Sequence, residues 1–304
     1  MSLVGEIAEA MRKANEAVDG SETEAEAVPR HNEETSGEIT AALSRASAKA
    51  DGRQPIEATE TAAAAPDSGL PPKPEAPEES RVVPGNLGRA IFHVERHRHM
   101  GLRIRNELDR TGNRSIAIVS ANRNEGKSTV SCNLAAAIAS VSNERSVALV
   151  DLDLRNPSLA GLLNIPIRIG IEQVLQGRAK LTEVCVPLRE PQIDVYPCAH
   201  PHRAAHELLV LPSFQSLLKE LEARYTAVII DTPPTLLVQD STLIVRHTSY
   251  AIAVAKAGKS RVNRFTEMLD RLPSDKIMGK VLNNVPIPSH ERDDDYYYAT
   301  EEFP

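Results

Sequence analysis

No segment of the 304 residues approaches 18 consecutive apolar positions, so none reads as a membrane span. The amino terminus, MSLVGEIAEAMRK, lacks both a long apolar core and a cleavage site, so it does not read as a secretory leader. Cysteine is scarce. Cys132, Cys185 and Cys198 are odd in number and share no metal or redox spacing, which points to a reducing cytosol. An excess of base is missing too, and a formal charge of −7 argues against a general nucleic-acid binder. From Asp19 to about Pro84 the chain has almost no large apolar residues and is rich in Glu, Ala, Ser and Pro. Such a composition buries too little surface to offset ordering entropy, so it reads as a disordered acidic linker.

What the chain does have is concentrated in Ser115 to Thr129, SIAIVSANRNEGKST. This is a short apolar strand, a tight polar loop and the first turn of a helix continuing through Val130, Leu134, Ala137 and Ile138. Strand, loop, Gly126-Lys127-Ser128 and helix in that order make a phosphate-binding loop. Backbone N–H groups of such a loop form an anion-binding concavity, and the helix N-terminus adds its dipole. Lys127 is expected to reach the outer phosphates and Ser128 to sit on Mg²⁺. The first position of the loop, usually Gly, is Ala121, and Asn124 stands where positive φ is still accessible.

A second apolar run, residues 146 to 157, reads as a buried parallel strand ending in Asp151-Leu-Asp153. Carboxylates at such a strand end point into the crevice where α/β folds hold ligands. Two short helical pieces precede a third strand, Gln192 to Tyr196. An amphipathic helix, Ser213 to Tyr225, leads into the strand Ala227-Val-Ile-Ile-Asp231-Thr-Pro-Pro. An Asp ending such a strand is the Mg²⁺-side carboxylate of nucleotide hydrolases and kinases. Strand 249–256, helix 260–272 and strand 276–283 complete the alternation. The reading is an α/β fold with a doubly wound, mostly parallel sheet of the P-loop NTPase kind. It divides the chain into a disordered extension (1–85), a P-loop domain (86–288) and an acidic tyrosine-bearing tail (289–304).

Outside the motifs, Leu3, Val4, Ile7, Met11 and Ala14 recur at helical spacing within residues 3–17. This is either a docking helix or a frayed terminus, and the shortness of the segment favours fraying. Ile91, Val94, His97, Met100, Ile104 and Leu108 predict a helix crowded with arginine, either a subunit contact or a solvated basic face. His200, His202 and His206 have spacing that could suit a metal, but no closed ligand set accompanies them, which favours a polar loop. The tail ERDDDYYYATEEFP carries three consecutive tyrosines where no core could form, which suggests phosphate acceptors.

From about Leu102 to Asn284 the chain resembles the bacterial tyrosine autokinases of capsule and exopolysaccharide synthesis. SANRNEGKST stands where that family tends to have S-x-x-P-G-E-G-K-S, LVDLDLRNPSL matches its two-Asp motif, and VIIDTPP is nearly its third motif. Val281-Leu-Asn283-Asn284 matches the place where an Asn meets the adenine base, and the tyrosine-rich tail is also a family feature. The resemblance implies ATP and Mg²⁺ as cofactors, with Asn124, Glu125, Gly126, Lys127, Ser128, Thr129 and Asn283 as nucleotide contacts. It implies Ser128, Asp153 and Asp231 around the metal, Asp151 as acceptor of the tyrosine proton, and Tyr296, Tyr297 and Tyr298 as phosphate acceptors.

The resemblance also implies a membrane partner that sets polysaccharide length and recruits this cytoplasmic chain to the inner face of the plasma membrane. Homo-oligomers by tail exchange are implied as well, phosphorylated tails releasing from neighbouring sites. Two departures stand out. Arg123-Asn124 replaces Pro-Gly, and Gly101 replaces the last Arg of the family's Glu-x-x-Arg-x-x-Arg helix, which here begins with Glu95 and Arg98. The rival expectation is a partition-type nucleotide-switch ATPase without kinase activity. Those proteins carry a signature Lys where Asn122 stands, and they have no tyrosine cluster.

Overall fold

A computed structural model of the chain describes residues 11–12, 94–142 and 146–285. The expected linker, most of the segment 3–17 and the tail with Tyr296, Tyr297 and Tyr298 lie outside the described residues. Helix α1, Val94–Thr111, precedes β1, Ser115–Ser120, and the long helix α2, Lys127–Ser140. Strand β2, Val147–Asp151, is followed by three short helices, α3 (Leu159–Leu162), α4 (Ile171–Leu175) and α5 (Leu181–Val184). Next come β3 (Val186–Pro187), β4 (Ile193–Tyr196), α6 (Ala205–Leu209) and α7 (Pro212–Arg224). The chain then forms β5 (Ala227–Asp231), α8 (Asp240–His247), β6 (Tyr250–Lys256), α9 (Val262–Asp270) and β7 (Ile277–Asn283).

The seven strands form one sheet in the order β3-β4-β2-β5-β1-β6-β7, parallel except for the β3–β4 pair. The expected doubly wound, mostly parallel sheet is therefore present. Strands β1, β2 and β5 are buried at every position, which is why they read as continuous apolar runs rather than alternating ones. Period-two pleating still divides their side chains. Ile116 and Ile118 join one apolar layer with Leu134 and Ile138 of α2, while Ala117 and Val119 join the other with Phe214 and Met268. The three motif-bearing strands are immediate neighbours, β2-β5-β1, so their C-terminal ends open side by side.

Helix α1 buries Gly101, Ile104 and Leu108 towards α2, and the expected Ile91 lies outside the described residues. A Cβ on Gly101 would lie 2.9 Å from the Cβ and carbonyl carbon of Ala137. The helices therefore cross backbone to side chain at that point, with no room for the arginine the family places there. The basic helix is partly committed to its own domain, since Arg105 donates to the Val141 carbonyl and pairs with Asp109. At the other end of the sequence, Met11 is helical and 1% exposed, within the apolar layer of Ala117 and Phe214. At this residue tertiary burial supplies what a short isolated helix lacks.

Candidate functional site

The phosphate loop is built by backbone conformation and then braced from outside. Gly126 caps α2 in the left-handed region at φ 92°, and Asn124 takes φ 60°, the conformation expected of it. Gly126 is also a point of contact, since a Cβ there would fall 1.9 Å from Asn283 Nδ2. That amide donates to the Glu125 carbonyl at 3.3 Å, so the end of β7 rests on the loop. Glu125 itself is buried. Its carboxylate accepts the Asn122 N–H at 2.7 Å and the Ser260 hydroxyl at 2.5 Å. Glu125, expected as a nucleotide contact, thus spends its side chain on shaping the loop and leaves only its backbone for a ligand. Thr129 sits half-buried in the first turn of α2.

The third motif is stitched to the first. The Thr232 hydroxyl donates to the Ile118 carbonyl at 2.7 Å, and Thr235 N–H donates to the Ser120 carbonyl at 2.9 Å. These bonds hold Asp231 against the start of α2, where Ser128 Oγ donates to its Oδ2 at 2.5 Å and Ser131 Oγ to its Oδ1 at 3.2 Å. Burial pushes the Asp231 carboxyl up to about 6, while the charge of Lys127 and the Ser128 hydrogen bond pull it down. Lys127 is 7% exposed and acts electrostatically on both Asp231 and Asp153. Beside this strand end the buried Thr235 hydroxyl has no hydrogen-bond partner.

Asp151 lies directly across from Asp231 in the β2–β5 register. Its environment differs. Oδ2 accepts the N–H groups of Ser158 and Leu159, both at 3.1 Å, and Oδ1 accepts that of Asp153 at 3.2 Å. Burial, then the charge of Asp231, raise its carboxyl well above the usual range. Asp151, the expected acceptor of a tyrosine proton, is thus enclosed among backbone donors. The side chain is fully buried, and both oxygens hold the turn that follows β2. Asp153 is 8% exposed, and its Oδ1 accepts the Asn156 N–H at 3.0 Å. Burial raises its carboxyl, and the charges of Lys127 and Arg123 oppose that rise. Arg123, one of the two departures in the loop, thus lies within electrostatic range of the second motif. Ser158 closes the circuit through a 2.8 Å contact with Ser128 Oγ.

Several partners escaped the sequence reading. Asp240, 1% exposed at the start of α8, accepts Arg155 Nε at 2.6 Å and contacts His206 Nδ1 at 3.1 Å. It anchors the arginine of the second motif from an element without a sequence signal of its own. The three histidines disperse, with His206 on Asp240 and His202 facing Gln176 at 3.0 Å. Beneath the site, burial followed by the charges of Asp231 and Asp151 holds the Cys132 thiol in its protonated form.

The donor set fits Mg²⁺ bound largely through a nucleotide. Ser128, Asp153 and Asp231 offer hard oxygen donors, and Mg²⁺ characteristically takes one or two carboxylates together with substrate phosphates. Among the described residues no group of three or more His, Cys, Asp or Glu side chains converges as a self-sufficient metal cage. None of the described helices is long and apolar enough to cross a membrane.

Comparison with known proteins places this geometry. A family profile described as an AAA domain matches residues 113–272. The tyrosine-protein kinase YwqD of Bacillus subtilis is 28% identical over 192 residues, 62% of this chain and 79% of that protein. The tyrosine-protein kinase ptk of Acinetobacter johnsonii is 29% identical over 194 residues, 63% of this chain but only 26% of that protein. The match thus spans about a quarter of the latter relative's length. Among solved structures, the kinase domain of Escherichia coli tyrosine kinase ETK superposes with a TM-score of 0.54 at 29% identity, covering 57% of this chain and 68% of that one. The chain belongs to the AAA-domain family, and the kinship with bacterial tyrosine-protein kinases read from its motifs holds in sequence and in fold.

Proposed function

We propose that this chain is an ATP-dependent protein tyrosine autokinase that phosphorylates Tyr296, Tyr297 and Tyr298 of its own tail. The observation that carries this reading is the seat of Asn283. Strand β7 ends with this side chain on the phosphate loop, which puts the start of the sequence leading to the tail beside the site where phosphate would be held. The roughly twelve residues from Asn284 to Tyr296 span at most about 40 Å when extended. Its own site and a neighbour's are both within that reach.

The loop's backbone N–H groups and Lys127 would hold the nucleotide phosphates and offset charge developing during transfer. Ser128, Asp231 and Asp153 would hold Mg²⁺, which supplies further neutralisation of that charge. Asp153, 8% exposed against 0% for Asp151, is the carboxylate of the second motif better placed to accept the tyrosine proton. The Asn283 amide keeps a second N–H and its carbonyl oxygen beyond the bond to the Glu125 carbonyl, so we assign it to bracing the loop as well as to the base.

Regulation follows from charge. Each phosphotyrosine adds about −1.5 to −2 to a tail that already carries Asp293, Asp294 and Asp295, so modified tails would leave neighbouring sites and dissolve tail-exchanged oligomers. Recruitment to the inner face of the plasma membrane by a polysaccharide co-polymerase protein belongs to the same reading. The test is peptide mapping after incubation with Mg-ATP. Phosphate on Tyr296–Tyr298 that disappears in Lys127→Ala supports the proposal, and a tail unmodified in the wild-type protein, with and without a partner's cytosolic segment, overturns it.

A further inference from the structure

A hydroxyl buried without a partner costs stability, and folded proteins seldom leave one unpaired. The hydroxyls around the phosphate loop follow that rule. Ser120 donates to the Asn122 carbonyl, Ser131 to the Lys127 carbonyl and to Asp231, Thr232 to the Ile118 carbonyl, and Ser260 to Glu125. Thr235 departs from it, being 2% exposed with a hydroxyl that meets no donor or acceptor. Among the described residues two other serine or threonine hydroxyls are buried and unpartnered, but Ser146 precedes β2 at the opposite end of the sheet and Ser241 lies within α8. Thr235 is the one that borders the loop. Its N–H donates to the Ser120 carbonyl at 2.9 Å, and the next N–H, of Leu236, donates to the Ala121 carbonyl at 3.2 Å. Two successive backbone bonds fix it beside the loop's first residue.

We infer that the Thr235 hydroxyl donates to the outermost phosphate of bound ATP. This rests on the reading of the loop as an ATP site and is independent of which group accepts the phosphate. The N–H groups at the start of α2 serve the inner phosphates, as they do in such loops generally. Thr235 stands at the other end of the loop, four residues beyond Asp231. That carboxylate is assigned to Mg²⁺, which bridges the two outer phosphates. A hydroxyl turns about a single bond, so it can donate to a phosphate oxygen while the backbone bonds that hold Thr235 stay in place. Its lack of a protein partner then has a use, since nothing in the free protein competes with the phosphate for it. A nucleoside diphosphate ends one phosphate short and leaves the hydroxyl as it is in the free chain.

Calorimetric titration and thermal unfolding of the full chain with Mg²⁺ test the inference, comparing wild type with Thr235→Val and Thr235→Ser. Thr235→Val keeps the side chain's shape and removes the hydroxyl. It should bind a non-hydrolysable ATP analogue about tenfold more weakly than wild type, as loss of a hydrogen bond to a charged group does, and should bind ADP equally well. Thr235→Ser retains the donor and should bind the analogue within about threefold of wild type. Without nucleotide, the unfolding midpoint of Thr235→Val should equal or exceed that of wild type, because no hydrogen bond is lost in the free protein. Equal affinity of wild type and Thr235→Val for the analogue would overturn the inference, and so would an equal loss for ADP. A lower midpoint of free Thr235→Val would overturn it as well, by showing that the hydroxyl already serves the fold through a protein group or a buried water. A wild-type chain that binds neither nucleotide would overturn it together with the reading of the loop as an ATP site, which separates the two failures.

Discussion

Asp151 and Asp231 end neighbouring parallel strands, face each other in register, and are both fully enclosed. Their partners separate them. Asp151 is held by three backbone N–H groups, which cannot leave without dismantling the turn after β2. Asp231 is held by the hydroxyls of Ser128 and Ser131, which rotate about single bonds and can exchange for another ligand. One carboxylate therefore builds the site and the other is available to work in it. Residue type and strand position are identical, so only the donors distinguish them.

The sharpest way to break this comparison is to remove each carboxylate in turn. Asp231→Asn should lower phosphoryl transfer by about 10³-fold while the protein stays folded, as loss of a charge-positioning group does. Asp151→Ala should act first on stability, lowering the unfolding midpoint by roughly 5–10 °C as buried N–H groups lose their acceptor. Single-turnover kinetics and thermal unfolding on the same preparations check both. Equal effects of the two substitutions on both readouts would erase the distinction.

A second test acts on Arg155, whose place is set by Asp240. Asp240→Ala should weaken Mg-ATP binding about tenfold, the scale typical of residues that orient site groups. Calorimetric titration should record that loss, and Asp240→Glu should recover part of it.

The pH dependence of stability gives a smaller effect with a definite sign. The Asp231 carboxyl is raised to about 6, above the roughly 3.9 of an unfolded chain. Between these values the folded state binds more protons, so this group's contribution to stability falls as pH rises from about 4 through 6. Asp231→Asn removes that loss. Its stability relative to wild type should increase across the window and level off above it, as thermal unfolding at pH 4.5 and pH 8 would record.

The smallest expected change concerns the helix crossing. Gly101→Ala should cost about 1–3 kcal/mol through overpacking against Ala137, with catalysis intact, as chemical denaturation would measure.

Much of the fold was legible because the buried strands are uninterrupted apolar runs and each motif strand ends in a residue with its own chemistry. The loop was legible through Asn124 and Gly126, whose backbone requirements are local. Other features were hidden for physical reasons. Helices α6 and α8 are five and eight residues long, too short to establish a period, so Asp240 carried no signal. Strand β3 is two residues long and contains Pro187. The absence of an arginine at position 101 was visible, but its cause, a helix crossing without space, needed the packing partner. Met11 fitted a helical stripe, and only tertiary burial could decide whether that stripe had a surface to lie on. Which of two aspartates is free to act depended on donors seven and eight residues away from one and on another helix for the other.

The most direct measurement follows the γ-phosphate of labelled ATP through a single turnover of the full chain with Mg²⁺. The account predicts label on the protein, at tyrosine, with none transferred by Lys127→Ala. Label appearing only as inorganic phosphate, with the chain unmodified, would contradict the kinase reading and leave a nucleotide-switch ATPase in its place.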